Sequence, residues 1–430
     1  MSQVGRRDIA DSAHQAAGLP HSWTTVAFKR SGLSVLMALS ILAGCAGRLE
    51  NVLQPVAAKG PGTNTVDMMV ATTRQPTDKP GELYSGERGT AISFNDIVVS
   101  IPPDRNRKIG EVQWPSHVPA NPEKEFAVLK VGRVASERNV FGWFNKNRNA
   151  KRQVVIFVHG FNNTYSDAVF RFAQIMHDSG TDAAPILFTW PSRGNVFDYL
   201  YDKESTNFSR RALEDLILQA AKSPDVGEVT ILAHSMGSWL TAEALRGVAM
   251  RNKTIPAKVK NVILASPDID IDVFRRQMIE MGPQHPHFTI FSSTRDKALQ
   301  VSRWLSGGVN RVGGFDSSPY AADLAKLGIT VIDTSSVKPD DPLGHNTFAD
   351  NRDTVQLLGR RLAGQSLDTG QVSLADRVGM AAVRTADLAG SAAKVAVAAP
   401  MSIISDDARQ VLKQQLSAGP SSIVDGRISY

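Results

Sequence analysis

A chain of 430 residues with 42% hydrophobic and 21% charged residues has globular composition, which excludes a wholly disordered or fibrous protein and leaves room for one large domain or two small ones. The formal charge of +6 is modest for this length and no Lys/Arg run marks a nucleic-acid face, so nucleic acid is not an expected partner. The single cysteine, Cys45, excludes an internal disulfide and a cysteine-built metal site.

The chain opens on its clearest statement about location. "FKRSGLSVLMALSILAGC" is a basic doublet (Lys29, Arg30), an apolar segment and a small-residue end, the layout of an export signal. The apolar part is shorter than the roughly 20 residues of a membrane-spanning helix. "LAGC" (Leu42 to Cys45) resembles the bacterial lipoprotein box. Residues 1–44 are therefore expected to be a signal peptide, with Cys45 the lipidated first residue of a protein anchored to a membrane of the bacterial cell envelope. Residues 45–64, rich in Pro, Gly and small side chains, read as a tether.

A domain is expected over 65–364. Its first part carries the strand candidates "VDMMVATTR", "ISFNDIVVSIP" and "FAVLKVG", separated by polar turns, with no evident helix. From Gln153 the pattern becomes apolar runs alternating with five helical segments: "QVVIFVHG", "APILFTW", "EVTILAHS", "KNVILASPD", "HFTIFSSTRD" and "GITVIDTSS". Continuous Val/Ile/Leu/Phe runs predict strands covered on both faces. The expected class is α/β: a mostly parallel, doubly wound sheet with an antiparallel N-terminal part. Residues 365–430 form an Ala-rich tail whose helical stripe has small residues and no aromatic anchor, which favours packing or disorder over membrane binding.

In such sheets the working residues collect at the carboxyl ends of the strands. "AHSMG" places Ser235 where "EVTILA" turns into a helix, and a sharp strand-to-helix turn there exposes the hydroxyl and requires small residues two positions before and after it. Ala233 stands where the GxSxG pattern has its first Gly. The alternative is a plain helix cap. A serine nucleophile needs a base and an orienting carboxylate. In the chain order expected of this fold, Asp296 follows "HFTIFSS" and His345 follows "ITVIDTSS", with Asp268 after "NVILASP" an alternative acid. Asp296 could instead cap the helix "ALQVSRWL", His345 could be an ordinary loop residue, and Asp268 could hold its strand-end loop. The backbone N–H groups of Phe161, in "VHGFNN", and Met236 are the candidate oxyanion donors, each such donor contributing about 3 kcal/mol. His159 then shapes the loop and is not the base.

Other signals are weak. "HPH" at 285–287 reads as a turn before a strand, not a metal site, and "GGVNRVGG" lacks the ending of a phosphate loop. No cofactor and no metal are expected. "FTWPSRGNVFDYLYDKESTNFSR" either lines or covers the cleft or is a solvated connection.

These residues resemble the α/β-hydrolase superfamily and, within it, a bacterial family known only as an alpha/beta hydrolase of unknown function. The resemblance runs from "MMVATTRQP" and "SFNDIVVSIPPDR" through "HGFNN", "FTWPSRG", "YLYDKESTNFSR" and "LAHSMGS" to "LASPDID", "STRDKAL" and "GHNTF", about residues 66–364. It implies the fold and the Ser, Asp and His roles, and no substrate; Ala233 and the tail depart from it. Three functions follow: a serine hydrolase acting on a small-molecule or lipid acyl ester, thioester or amide, an acyltransferase with the same three residues, or a hydrolase-fold binding protein without turnover.

The anchor is testable directly. Cys45→Ser is expected to release the protein from membranes while the domain keeps its chemistry, checked by cell fractionation and N-terminal mass spectrometry. A variant that still partitions wholly into membranes, with an unprocessed N-terminus, overturns the assignment.

Overall fold

The computed structural model describes residues 49–134, 137–317, 321–365 and 395–396. The expected signal peptide, Cys45 and nearly all of the C-terminal tail lie outside these residues.

The described strands are β1 (Asn64–Pro76), β2 (Tyr84–Ile101), β3 (Ala127–Arg133), β4 (Gln153–Val158), β5 (Ala184–Thr189), β6 (Glu228–His234), β7 (Val259–Ala265), β8 (His287–Ser292), β9 (Ile329–Asp333) and β10 (Val395–Ala396). They form one sheet in the order β10-β9-β8-β7-β6-β4-β5-β1-β2-β3. From β9 through to β1 every pairing is parallel, while β2 and β3 add on antiparallel at one edge. This is the α/β-hydrolase architecture expected above. Every residue of β4 and of β5 is buried, as their uninterrupted apolar runs require of strands covered on both faces.

The five expected helical segments are all present: α2 (Tyr165–Asp178), α3 (Tyr199–Lys222), α4 (Met236–Asn252), α5 (Ile271–Met281) and α6 (Lys297–Leu305). Alternate strand residues face opposite layers. Val154, Ile156 and Val158 of β4 pack with side chains from α3, α4 and α5, whereas Val155 and Phe157 pack with α2 and with α7 (Arg352–Leu362). α2 starts on a capping box, in which Thr164 Oγ1 accepts from Asp167 N–H and Asp167 Oδ2 accepts from Thr164 N–H.

Two segments differ from expectation. Helix α1 (Glu137–Asn147) occupies the stretch before β4, where no helix was evident. Its Val140, Trp143 and Phe144 have helical spacing and are buried, but Gly142 and the polar end hide that stripe. The tether expected over 45–64 also departs from a free spacer. Val52 and Leu53 are buried in the core, Leu53 N–H bonds to Gly81 O at 3.0 Å and Val56 N–H to Val128 O at 2.8 Å. Two apolar side chains suffice to dock a segment whose composition is dominated by Pro and Gly.

The order of the strands positions the site. After β4 the chain moves to β5 on one side, and after β6 to β7 on the other, so the loops leaving β4 and β6 diverge and open a crevice at their carboxyl ends. The helix starting at Met236 sits hard against β4: a Cβ on Gly237 would lie 2.3 Å from His159 O and 2.6 Å from Val158 O. Ala233, two residues before Ser235, is fully buried, so the pattern's missing glycine is a methyl that packs. Gly237→Ala is expected to destabilise the fold by about 1–3 kcal/mol through overpacking. Ala233→Gly should cost only about 1 kcal/mol, by loosening a strand end. Denaturant unfolding of both variants checks this ranking.

Candidate active site

Strand β6 delivers Ser235 to the crevice in a strained backbone conformation, φ 53° and ψ −120°, which for a non-glycine residue costs on the order of 1–3 kcal/mol. Its neighbours hold it there: Ser235 N–H donates to Ala265 O at 2.9 Å, and Ser235 O accepts from Asp268 N–H at 3.2 Å and Ser238 N–H at 3.0 Å. Ser235 side-chain oxygen is not the cap of α4, which excludes the plain-cap alternative for this residue.

The base and acid candidates meet. His345 Nδ1–H donates to Asp296 Oδ2 at 2.7 Å, leaving Nε2 as an acceptor. Asp296 uses its other oxygen to accept from Leu299 N–H at 3.0 Å, so it caps α6 and holds the histidine at once. Its side chain is fully enclosed. Burial of the His345 ring disfavours its charged form, but the Asp296 carboxylate, helped by Asp268 and Asp341, outweighs that and raises the imidazole above its ordinary 6.5. Asp341 also shapes the loop, accepting from His345 N–H at 3.1 Å and from Leu343 N–H at 3.2 Å. The main chain of His345 is fixed by Ser266 Oγ–H, donating to its carbonyl at 3.1 Å, and by His234 Nε2–H at 3.4 Å.

Asp268 belongs to a different network. Its carboxylate accepts from Ser302 Oγ–H at 2.6 Å and Tyr199 OH at 3.1 Å and lies 3.2 Å from Arg311 Nε. The structure thus pairs His345 with Asp296 and Asp268 with Arg311. Asp270, not Asp268, caps α5, accepting from Asp272 and Val273 N–H.

The loop after β4 carries His159, Gly160 and Phe161. A Cβ on Gly160 would lie 2.9 Å from both Ser235 Cβ and His234 Nδ1, so only glycine lets this loop lie against the serine turn. His159 is enclosed and stacked on Trp190, ring centroids 4.8 Å apart. Burial and the nearby Arg74 cation push its imidazole down to about 3, so it is neutral. Its Nδ1–H donates to Gly160 O, and its Nε2 accepts from Trp190 N–H. This is the loop-shaping part expected of His159.

Sequence reasoning missed Arg74 and Asp202, which brace these loops. Arg74 ends the apolar part of β1 yet is fully buried, and donates to Thr189 Oγ1, Ser192 O and Asn163 O at 2.7–2.8 Å. Burial lowers it to about 10, with Asp202 and Asp167 partly offsetting that. Asp202 accepts from Ser192 Oγ–H, Arg193 N–H and Asn162 N–H. The signal for Arg74 was present: one arginine closing an otherwise buried strand demands fixed acceptors.

Beside Met236 the crevice opens into a cleft of about 690 Å³, within the usual size for small-molecule sites. The segment after "FTW" lines it with Phe197, Tyr199 and Leu200, so it is not merely a solvated connection. The glycine-rich stretch 307–314 straps the ends of β7 and β8, with Val312 N–H bonded to Ile269 O and Ser293 N–H to Gly313 O, and carries Arg311 to Asp268. At "HPH", His285 bonds to Pro286 O and His287 to Thr330 Oγ1. No group of three or more possible metal ligands occurs among the described residues.

Comparison with known proteins places this geometry in a family. A curated relative, an uncharacterized protein of Nostoc sp. (strain PCC 7120), is 30% identical over 136 residues, covering 26% of this chain and 35% of the relative, so the chain spans about a third of its length. Solved structures similar to the chain include an esterase from Rhizomucor miehei (12% identity, 81% of this chain and 92% of that one, TM-score 0.32). Another is an esterase from Pyrobaculum calidifontis (10% identity, 81% and 95%, TM-score 0.31). A third is a putative cell surface hydrolase from Lactobacillus plantarum (11% identity, 55% and 98%, TM-score 0.31). The family described as alpha/beta hydrolase of unknown function (DUF900) matches residues 136–361, more than half of the 430 residues and all of the crevice-forming loops from β4 onward, and the chain belongs to that family.

Proposed function

We propose that the protein is a serine hydrolase that cleaves an ester, thioester or amide through an acyl-enzyme on Ser235, with His345 as general base and acid and Asp296 as its orienting carboxylate. The observation that carries this reading is the conjunction of a strained serine at a strand-to-helix turn with a 2.7 Å His345–Asp296 hydrogen bond at the same sheet edge.

In this reading Ser235 Oγ attacks the substrate carbonyl while His345 Nε2 takes its proton. The tetrahedral oxyanion is met by the backbone N–H groups of Phe161 and Met236. Met236 opens α4, so its N–H lacks an acceptor within the helix and lies at the positive end of the helix dipole. Collapse expels the alcohol, thiol or amine, which takes the proton from His345. Water then attacks the acyl-serine with His345 again as base, releasing the acid and restoring Ser235. With the lipidated Cys45 proposed as anchor, this chemistry is carried out at a membrane of the cell envelope.

Ser235→Ala is expected to lower kcat on an activated ester by about 10⁴-fold or more and to abolish labelling by a fluorophosphonate. Mass spectrometry of the labelled wild type should place the probe on Ser235; a probe found elsewhere overturns the assignment.

The two carboxylates are separable. Asp296→Asn should reduce kcat by about 10³-fold or more with folding retained, because the amide no longer holds the accepting tautomer of His345. Asp268→Asn should leave most of the rate, since Asp268 pairs with Arg311. The reverse order in kinetics run beside thermal melts overturns the choice.

His345 must be neutral to act as base, and its folded-state value is raised. kcat/KM should therefore fall as pH drops through an apparent value above 6.5. Asp296→Asn removes the charge that raises it, so the acid limb of the residual activity should move to lower pH.

A further inference from the structure

The cleft beside the serine turn has an unusual mouth. Phe197, in the 3-10 turn before α3, Leu200, at the start of α3, and Leu305, at the end of α6, line it and are 77%, 76% and 53% exposed. Large apolar side chains left this open on one rim mark a surface that meets an apolar ligand. At the inner end Met236 follows Ser235 directly and lines the same cleft, so a chain lying on the rim leads toward the nucleophile. Tyr199 continues that path, its ring set edge-on to Phe161 at 5.3 Å.

The charges in the cleft are not equivalent. Asp268 is balanced by Arg311, and Asp270 is engaged in capping α5. Lys203, one helical turn from Tyr199 and lining the same cleft as Phe197, has no ion-pair partner among the described residues. An apolar trough with one unpaired cation at its mouth is complementary to an amphiphile with a negative head.

We propose that this cleft binds a single-chain anionic amphiphile, its alkyl chain on Phe197, Leu200 and Leu305 and its carboxylate or phosphate paired with Lys203. The inference rests on the acyl-enzyme reading only for the substrate class it adds: an ester carrying such a chain and head. Binding itself requires no turnover.

The test uses full-length Ser235→Ala protein and titration calorimetry with sodium decanoate, decyl phosphate and decyltrimethylammonium bromide, all below their micellar concentrations. An exposed ion pair strengthens binding by about threefold and a like-charge contact weakens it as much, so both anions should bind about tenfold more tightly than the cation. A preference for only one of the two anions identifies the head group and supports the site equally. Lys203→Glu should reverse the order. Leu200→Ser should weaken all three by about tenfold or more through lost apolar burial, and because Leu200 is exposed this change leaves the core intact. Equal binding of the anions and the cation, an unchanged order in Lys203→Glu, or no binding overturns the proposal.

Wild-type hydrolysis of 4-nitrophenyl acetate separates this inference from the reading of the site. Turnover without decanoate or decyl phosphate binding overturns the inference alone. Binding in the expected order, with neither turnover nor fluorophosphonate labelling, overturns the acyl-enzyme reading and supports the cleft.

Discussion

The site depends on a backbone approach that leaves no room for a side chain. The helix after Ser235 rests on the end of β4, with the Gly237 Cα position so near His159 O that an added Cβ would lie 2.3 Å away. The loop after β4 in turn rests on the serine turn through Gly160. These two glycines lock β4 to the β6–α4 junction from both sides. Ser235 is thereby held at φ 53°, a conformation an unrestrained serine would relax out of. The hydrogen bonds from Asp268 N–H and to Ala265 O extend the lock to β7.

Around that junction the buried polar groups serve as loop anchors. Arg74 carries a charge into the interior, which is tolerable only because four fixed oxygens and a nearby carboxylate, Asp202, answer it. The result ties the loops after β4 and β5 together, so the N–H of Phe161, the proposed oxyanion donor, belongs to a braced segment. Rigid donors need no reorganisation as charge develops, which is the property an oxyanion site requires.

Segregation of the carboxylates is the second organising feature. Asp296, Asp268 and Asp270 all lie at the carboxyl end of the sheet, and each has a different partner: His345, Arg311 and the α5 N-terminus. Asp268 is near enough to add to the rise of His345 that Asp296 causes, while Arg311 is its ion-pair partner. The glycine-rich strap thus brings Asp268 its cation, and Lys203 is left as a cleft-lining cation with no ion-pair partner among the described residues.

Which parts of this were legible in the chain follows from the range of the forces involved. Strand runs such as "QVVIFV" and the turn at Ser235 are local patterns: burial on both faces and a strained turn dictate residue types within a few positions, so sequence alone determined the α/β class, the strand ends and the candidate residues Ser235, Asp296 and His345. The docking of Val52 and Leu53, the helix Glu137–Asn147 and the part played by Arg74 were not legible, because each depends on partners distant in the chain. The choice between Asp296 and Asp268 was of the same kind. Both follow apolar strands and both are suited to holding a loop or capping a helix, and only the tertiary structure decides which reaches His345, because a hydrogen bond across 49 residues is set by the packing of β8 against β9 and by the Asp341 turn, not by any spacing in the chain.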